Sequence, residues 1–344
     1  MNRSSRFAQL IATTIAALAL LVIPPRAQDV EPKPPERPFL WRIDGETPSF
    51  LFGTIHLPDE RVTTLHAEVE AAIERCDALY TELAMDMKLL SAATKGMMLP
   101  RGKTLKTVLP EEVHAKLEAF FAAREMPLAP MERMKPWVIA SQVALFDHLT
   151  EIAMGKALDL QLYQRAEDDD KEVGGLETIE EQMGVFDGLT DLEQGEMLRK
   201  AIDQVEDFKA KGRDLYEELI KSYVDGSGAQ LEALMNEADD DSELSKRIEK
   251  ALLHDRNHRM ADRIAVKLRE QPQRCWFFAV GAAHAFGNTG LVKLLREQGF
   301  AVTRVPESPA NLDEEIETLE SEVKSLQERI DALRARRASF KKAG

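Results

Sequence analysis

From residue 39 onward, short apolar runs alternate with longer stretches of amphipathic period. Residues 39–43 and 49–55 are apolar runs joined by Asp44-Gly45-Glu46-Thr47-Pro48, a cluster of turn formers that predicts a strand pair. The stretch 62–75, with Leu65, Val69, Ala72 and Ile73 spaced between charges, predicts a helix, and 78–83 returns to the pattern of a short strand. Between 104 and 170 the period is helical, amphipathic over 113–124 and mostly apolar over 137–149. Met126, Met131 and Met134 lie in this region, either as an adaptable groove or, more simply, as soft core packing. A strand candidate at 173–176 precedes helices that dominate 180–270, with breaks at Asp225-Gly226-Ser227-Gly228 and Asp239-Asp240-Asp241. The most strand-like run, 275–280, is followed by a helix over 290–298 and a strand over 300–305. This alternation predicts an α/β domain over 39–305: a mixed, mostly parallel central sheet carrying a helical insertion.

Two flanking segments follow other rules. Arg3 and Arg6 precede an apolar run from Leu10 to Ile23, shorter than the roughly 20 residues of a bilayer span. The pattern predicts a signal peptide over 1–27 and a periplasmic or secreted protein, with an uncleaved membrane anchor as the alternative. Residues 28–38 hold Pro32, Pro34, Pro35 and Pro38 among charges and predict an extended linker. At the other end Leu312, Ile316, Leu319, Val323, Leu326, Ile330 and Leu333 recur at spacings of four and three, which predicts a coiled-coil helix over 311–340. Asn311 with Glu314 has the pattern of a capping box at its start. The helix begins acidic and ends basic, which suits its dipole and favours antiparallel self-pairing. A homo-oligomer through 312–337 is therefore expected, with folding back onto the domain as the alternative.

Composition narrows the function. The chain has 344 residues, 44% hydrophobic and 31% charged, enough for a sizeable core. Its formal charge of −15 repels phosphates and argues against a nucleic-acid partner. Cys76 and Cys275 are the only cysteines, which excludes a Cys-rich zinc module, a four-thiolate iron–sulfur site and a disulfide scaffold. Both precede strands, so they either meet as a disulfide in an oxidising compartment or stay as two buried thiols.

The candidate chemistry rests on a repeated pattern. Gly53-Thr54-Ile55-His56 and Gly281-Ala282-Ala283-His284 each place Gly-x-x-His after an apolar strand, and Glu82 closes the strand candidate 78–83. In an open parallel sheet the carboxyl ends of strands line one edge, where ligands bind. His56, His284 and Glu82 are therefore candidate ligands of a divalent metal, and two imidazoles with a carboxylate suit zinc, manganese, cobalt or iron(II). Glu82 is also a candidate general base, and Glu177 a general base or an anchor of a ligand histidine. Arg256 and Asn257 are candidate oxyanion donors. His254 and His258 share helical spacing but sit in a charged stretch and read as exposed. There is no Gly-x-Ser-x-Gly, no P-loop and no dinucleotide fingerprint.

The two Gly-x-x-His motifs, with Lys135-Pro136-Trp137, Asp159 after Gly155, Gly175-Leu176-Glu177-Thr178 followed by Gln182, and Arg256-Asn257, resemble the TraB/GumN family in the expected order. That family contains the Tiki proteases and belongs to a superfamily with erythromycin esterases and ChaN-type haem-binding proteins. The resemblance implies an α/β domain and, by analogy with Tiki, a metal-dependent hydrolase of peptide bonds or of small molecules, with the two histidines and a glutamate as its site. Leu158 stands where the family often has Gly before the aspartate. Other readings on the same fold are a non-catalytic haem- or metal-binding protein, for which Tyr80 and Tyr163 would be the tyrosine ligands, and a coiled-coil adaptor.

Overall fold

The computed structural model describes residues 33–86, 93–149, 152, 155–237 and 242–306, with scattered positions from 308 to 334. The expected signal segment 1–27 and the first part of the 28–38 linker lie outside the described residues.

Six strands form one sheet: β1 Leu40–Ile43, β2 Ser49–Thr54, β3 Ala78–Leu83, β4 Glu172–Glu177, β5 Trp276–Gly281 and β6 Val302–Val305. Their order is β4-β3-β5-β2-β1-β6. β4, β3, β5 and β2 run parallel, and β1 runs against both β2 and β6. The mixed, mostly parallel sheet expected from the sequence is thus present, and β1 and β2 pair as expected, with Leu40 opposite Phe52. Every residue of β2 and of β5 is buried, as in a sheet covered on both faces.

The helices of seven or more residues, in chain order, are α1 Ala67–Arg75, α2 Glu111–Ala122, α3 Pro136–Gln142, α4 Leu158–Asp168, α5 Ile179–Asp187, α6 Asp191–Ala210, α7 Leu215–Val224, α8 Gly228–Glu237, α9 Glu243–Glu249, α10 Asp255–Glu270 and α11 Leu291–Glu297, with shorter pieces between them. The two longest helical stretches lie before and after β4, and they pack together where α6 lies on α2 and α3. The stretch 62–75 breaks into Glu60–Thr63 and α1, because Thr64 ends the first piece and the His66 ring accepts from the Glu68 amide to cap the second. Past Gln142 the apolar stretch tightens into a 3-10 helix, Val143–His148. Met126, Met131 and Met134 pack against the core.

β3 and β5 are neighbours, so Cys76 and Cys275, each just before its strand, stand 4.5 Å apart at Cα and are joined as a disulfide. The bond links positions 199 residues apart. Closing so long a loop restricts the unfolded chain, and replacing both cysteines by serine is expected to lower the unfolding free energy by about 2–5 kcal/mol in chemical denaturation. Thiol titration of the denatured, unreduced protein should find no free sulfhydryl; two would show that the bond is not made.

Beyond β6 the described positions between 309 and 334 are helical. The helix starts one turn earlier than expected: the Ser308 hydroxyl accepts from the Asn311 amide, and the Ser308 carbonyl accepts from that of Leu312. Asn311 is buried, accepting from Arg37 Nε at 2.8 Å and donating to the Pro306 carbonyl. The start of the helix is thereby tied to the domain. Among the described residues no helix is long and apolar enough to cross a membrane.

Candidate functional site

β5 lies between β3 and β2, so the carboxyl ends of these three strands are adjacent although their sequences are far apart. Thr54 is paired with Gly281, and β3 ends one strand over, which brings Glu82 level with the end of β5. His56 follows two residues after β2, and His284 ends the single turn Ala282–His284 that follows β5. The two imidazoles meet over Glu82: its Oε1 is 3.8 Å from His56 Nε2 and 3.6 Å from His284 Nε2.

The outer nitrogen of each ring is held. Asp159, at the start of α4, takes His56 Nδ1 at 2.6 Å on Oδ2 and the Thr54 hydroxyl on Oδ1. Asn257 donates its amide NH₂ to the Thr289 carbonyl at 2.8 Å, so its Oδ1, 2.6 Å from His284 Nδ1, is an acceptor and that nitrogen carries the proton. In both rings Nε2 is the atom turned toward Glu82. Leu158 does not disturb α4: it is the first helical residue, and its side chain is buried.

Glu82 is fixed by three donor atoms of other residues. Its Oε1 accepts the Gly281 backbone N–H at 2.7 Å, and its Oε2 accepts Arg256 Nη2 at 2.5 Å and Gln182 Nε2 at 3.1 Å. Burial alone would raise its pKa, but the Arg256 cation, then the two histidines and the Gly281 amide, hold it far below the usual carboxylate range. Burial opposes protonation of His56, yet Asp159 and Glu82 outweigh it and raise the ring to about 9. His284 falls to about 3 because burial, Arg256 and His56 together exceed the pull of Glu82.

The two motif glycines serve different ends. A Cβ on Gly53 would stand 2.9 Å from Phe39 Cβ and 3.0 Å from Ala282 Cα, so this glycine permits close packing of β2 on the turn that carries His284. A Cβ on Gly281 would stand 3.1 Å from Glu82 Oε1 and 3.6 Å from both His56 Nε2 and His284 Cδ2, so this one keeps the space among the three side chains open.

Other expectations shift. Arg256 is fully buried, with Nε on Glu177 at 2.7 Å, Nη1 on the Leu252 carbonyl at 3.3 Å and Nη2 on Glu82. Asn257 is also engaged on both its ends, so both side chains hold neighbouring groups in place. The Glu177 carboxylate lies between Arg256 and Arg259, 3.0 Å from the latter, with its side chain sealed from solvent, so its partners among the described residues are guanidinium groups and not an imidazole. His258 is exposed and the ring of His254 is 40% exposed, near Glu249 and outside the site. Tyr80 donates to Glu172 at 2.7 Å. The sequence named Asp159 and Gln182 only as positions of the family resemblance and Thr54 only within the first motif, and gave none of them a role at the site, because each has its partner about a hundred positions away.

Among the described residues no three His, Cys, Asp or Glu side chains are spaced to hold a metal ion as they stand. The donor chemistry nevertheless fits one: two Nε2 atoms with their Nδ1 partners fixed, a carboxylate oxygen between them, and an open wall at Gly281.

A model of the TraB/PrgY/gumN family matches residues 39–304. Among curated proteins, the metalloprotease TIKI1 of Homo sapiens is 29% identical over 78% of this chain and 62% of its own length. Metalloprotease TIKI2 of Danio rerio is 28% identical over 78% and 61%, and the metalloprotease TIKI homolog of Amphimedon queenslandica 23% over the same shares. The chain thus spans about three-fifths of the length of these relatives. No solved structure gives a significant match.

Proposed function

The chain belongs to the TraB/PrgY/gumN family, and from that premise we propose that it is a metal-dependent hydrolase of peptide bonds acting outside the cytoplasm. The observation that carries the reading is the convergence of His56 Nε2 and His284 Nε2 on Glu82 Oε1 at the carboxyl edge of three adjacent strands. The metalloprotease names of the relatives favour a peptide substrate. The Cys76–Cys275 disulfide and the signal-like segment 1–27 favour an oxidising compartment.

His56, His284 and Glu82 would hold the metal, which when bound supplies a Lewis acid for the scissile carbonyl and a water of lowered pKa. Asp159 and Asn257 hold the two Nδ1 atoms, so both rings turn Nε2 inward, where a bound metal would take the place of any proton. Arg256, Gln182 and the Gly281 amide keep Glu82 an oriented acceptor, so its part is to bind and to balance charge rather than to shuttle a proton. Arg256 and Glu177 form the buried support behind it.

Two measurements test this reading. Elemental analysis of the purified protein is expected to find one divalent metal per chain, and a peptide mixture incubated with it should gain new termini, seen by mass spectrometry, that a chelator prevents. Bound metal without cleavage would point to a metal-binding protein, and no stoichiometric metal would overturn the site. Asp159→Asn keeps the shape and loses the charge behind His56; it is expected to weaken metal affinity about 10- to 100-fold in competition with a chromophoric chelator. Unchanged affinity would remove Asp159 from the support of the site.

A further inference from the structure

The helix after β6 leaves its apolar seam uncovered. Leu312, Ile316, Leu319, Val323 and Ile330 are 48%, 52%, 48%, 66% and 42% exposed, although all five fall on one heptad face. Most helical stability in proteins comes from packing an amphipathic face, so an apolar stripe open to solvent needs a partner. The domain does not supply it. The start of the helix is tied down through Asn311, Arg37 and Pro306, yet the described seam positions stay exposed.

We propose that the seam is covered by the same helix of a second copy of this chain, running antiparallel. The charge pattern selects both the occupant and the direction. Positions 313–322 carry Asp313, Glu314, Glu315, Glu317, Glu320 and Glu322 with no basic residue, while 334–342 carry Arg334, Arg336, Arg337, Lys341 and Lys342 with no acidic one. A parallel pair would set the acidic starts side by side and the basic ends side by side. An antiparallel pair sets each acidic start against a basic end, so the helix is complementary to itself in that direction alone. Leu326 and Leu333 continue the same heptad register in sequence. Because Asn311 anchors each helix at its root, antiparallel pairing holds the two globular domains at opposite ends of the helical pair.

The whole chain is the material for the test. In sedimentation equilibrium at micromolar concentration the protein should run at twice the chain mass, with the dimer weakening as salt rises. Ile316→Glu with Val323→Glu should give the monomer mass with unchanged peptide cleavage and unchanged thermal unfolding of the domain, since both side chains are exposed on the helix. A wild-type monomer at all concentrations, or a dimer that survives both substitutions, overturns the proposal. Direction is read by cross-linking. The native cysteines are joined to each other, so an introduced thiol has no native partner. A mixture of Asp313→Cys and Arg334→Cys proteins should form the mixed disulfide, and neither variant alone should cross-link to itself. Self-linked Asp313→Cys would mean parallel pairing and would overturn the antiparallel arrangement.

Discussion

Replacing both His56 and His284 by alanine is expected to abolish stoichiometric metal binding and to lower peptide hydrolysis by at least about 10³-fold. The expectation follows from geometry: among the described residues, His56 and His284 are the imidazoles whose Nε2 atoms turn toward Glu82. A Lewis acid at a scissile carbonyl contributes several kcal/mol to the transition state, and each 1.36 kcal/mol is about a factor of ten in rate. The fold should survive, because both rings lie at the sheet edge beyond the strands and the main core does not depend on them. Elemental analysis and a cleavage assay on the same preparation check the outcome. A double variant that keeps its metal would show that another group of residues binds it.

Arg256→Leu is expected to act mainly on stability. Arg256 is fully buried and bridges Glu82 and Glu177, both buried themselves. Removing it leaves Glu82 without its cation and Glu177 with Arg259 alone, the situation in which breaking a buried ion pair costs about 3–5 kcal/mol. Arg259, whose side chain is 35% exposed, should cost markedly less when replaced by alanine. Chemical denaturation of both variants makes the comparison. A stable Arg256→Leu protein with activity lost would return Arg256 to the role of a donor in the reaction, as the sequence alone suggested.

The difference between those two roles for Arg256 marks where sequence reading stops. Arg and Asn beside each other on a helix are suitable oxyanion donors, and nothing in the local sequence says that their hydrogen bonds are already committed. The commitment is made by Glu82, Glu177 and Thr289, none of them nearby in the chain. The start of the last helix shows the same limit on a shorter scale. Ser308 and Asn311 are both good caps, and the burial of Asn311 against Arg37 and Pro306 decides that Ser308 caps while Asn311 anchors.

The sequence by itself determined what depends on neighbours along the chain: six strands from their apolar runs, the helical stretches from their period, the heptad face of 312–333, and the two Gly-x-x-His turns at strand ends. It also supplied the order of motifs that marks the family. Only the tertiary structure decided the strand order, which puts β5 between β3 and β2 and so makes neighbours of His56, Glu82 and His284. The same order joins Cys76 to Cys275. It also assigned Asp159 to His56 and Asn257 to His284, and left the seam of the last helix open. The physical reason is range. Backbone propensity and hydrophobic period act over a few residues and leave a trace in composition, whereas a buried hydrogen bond between residues a hundred positions apart is specified by the packing of whole elements and leaves only a single polar letter in the sequence.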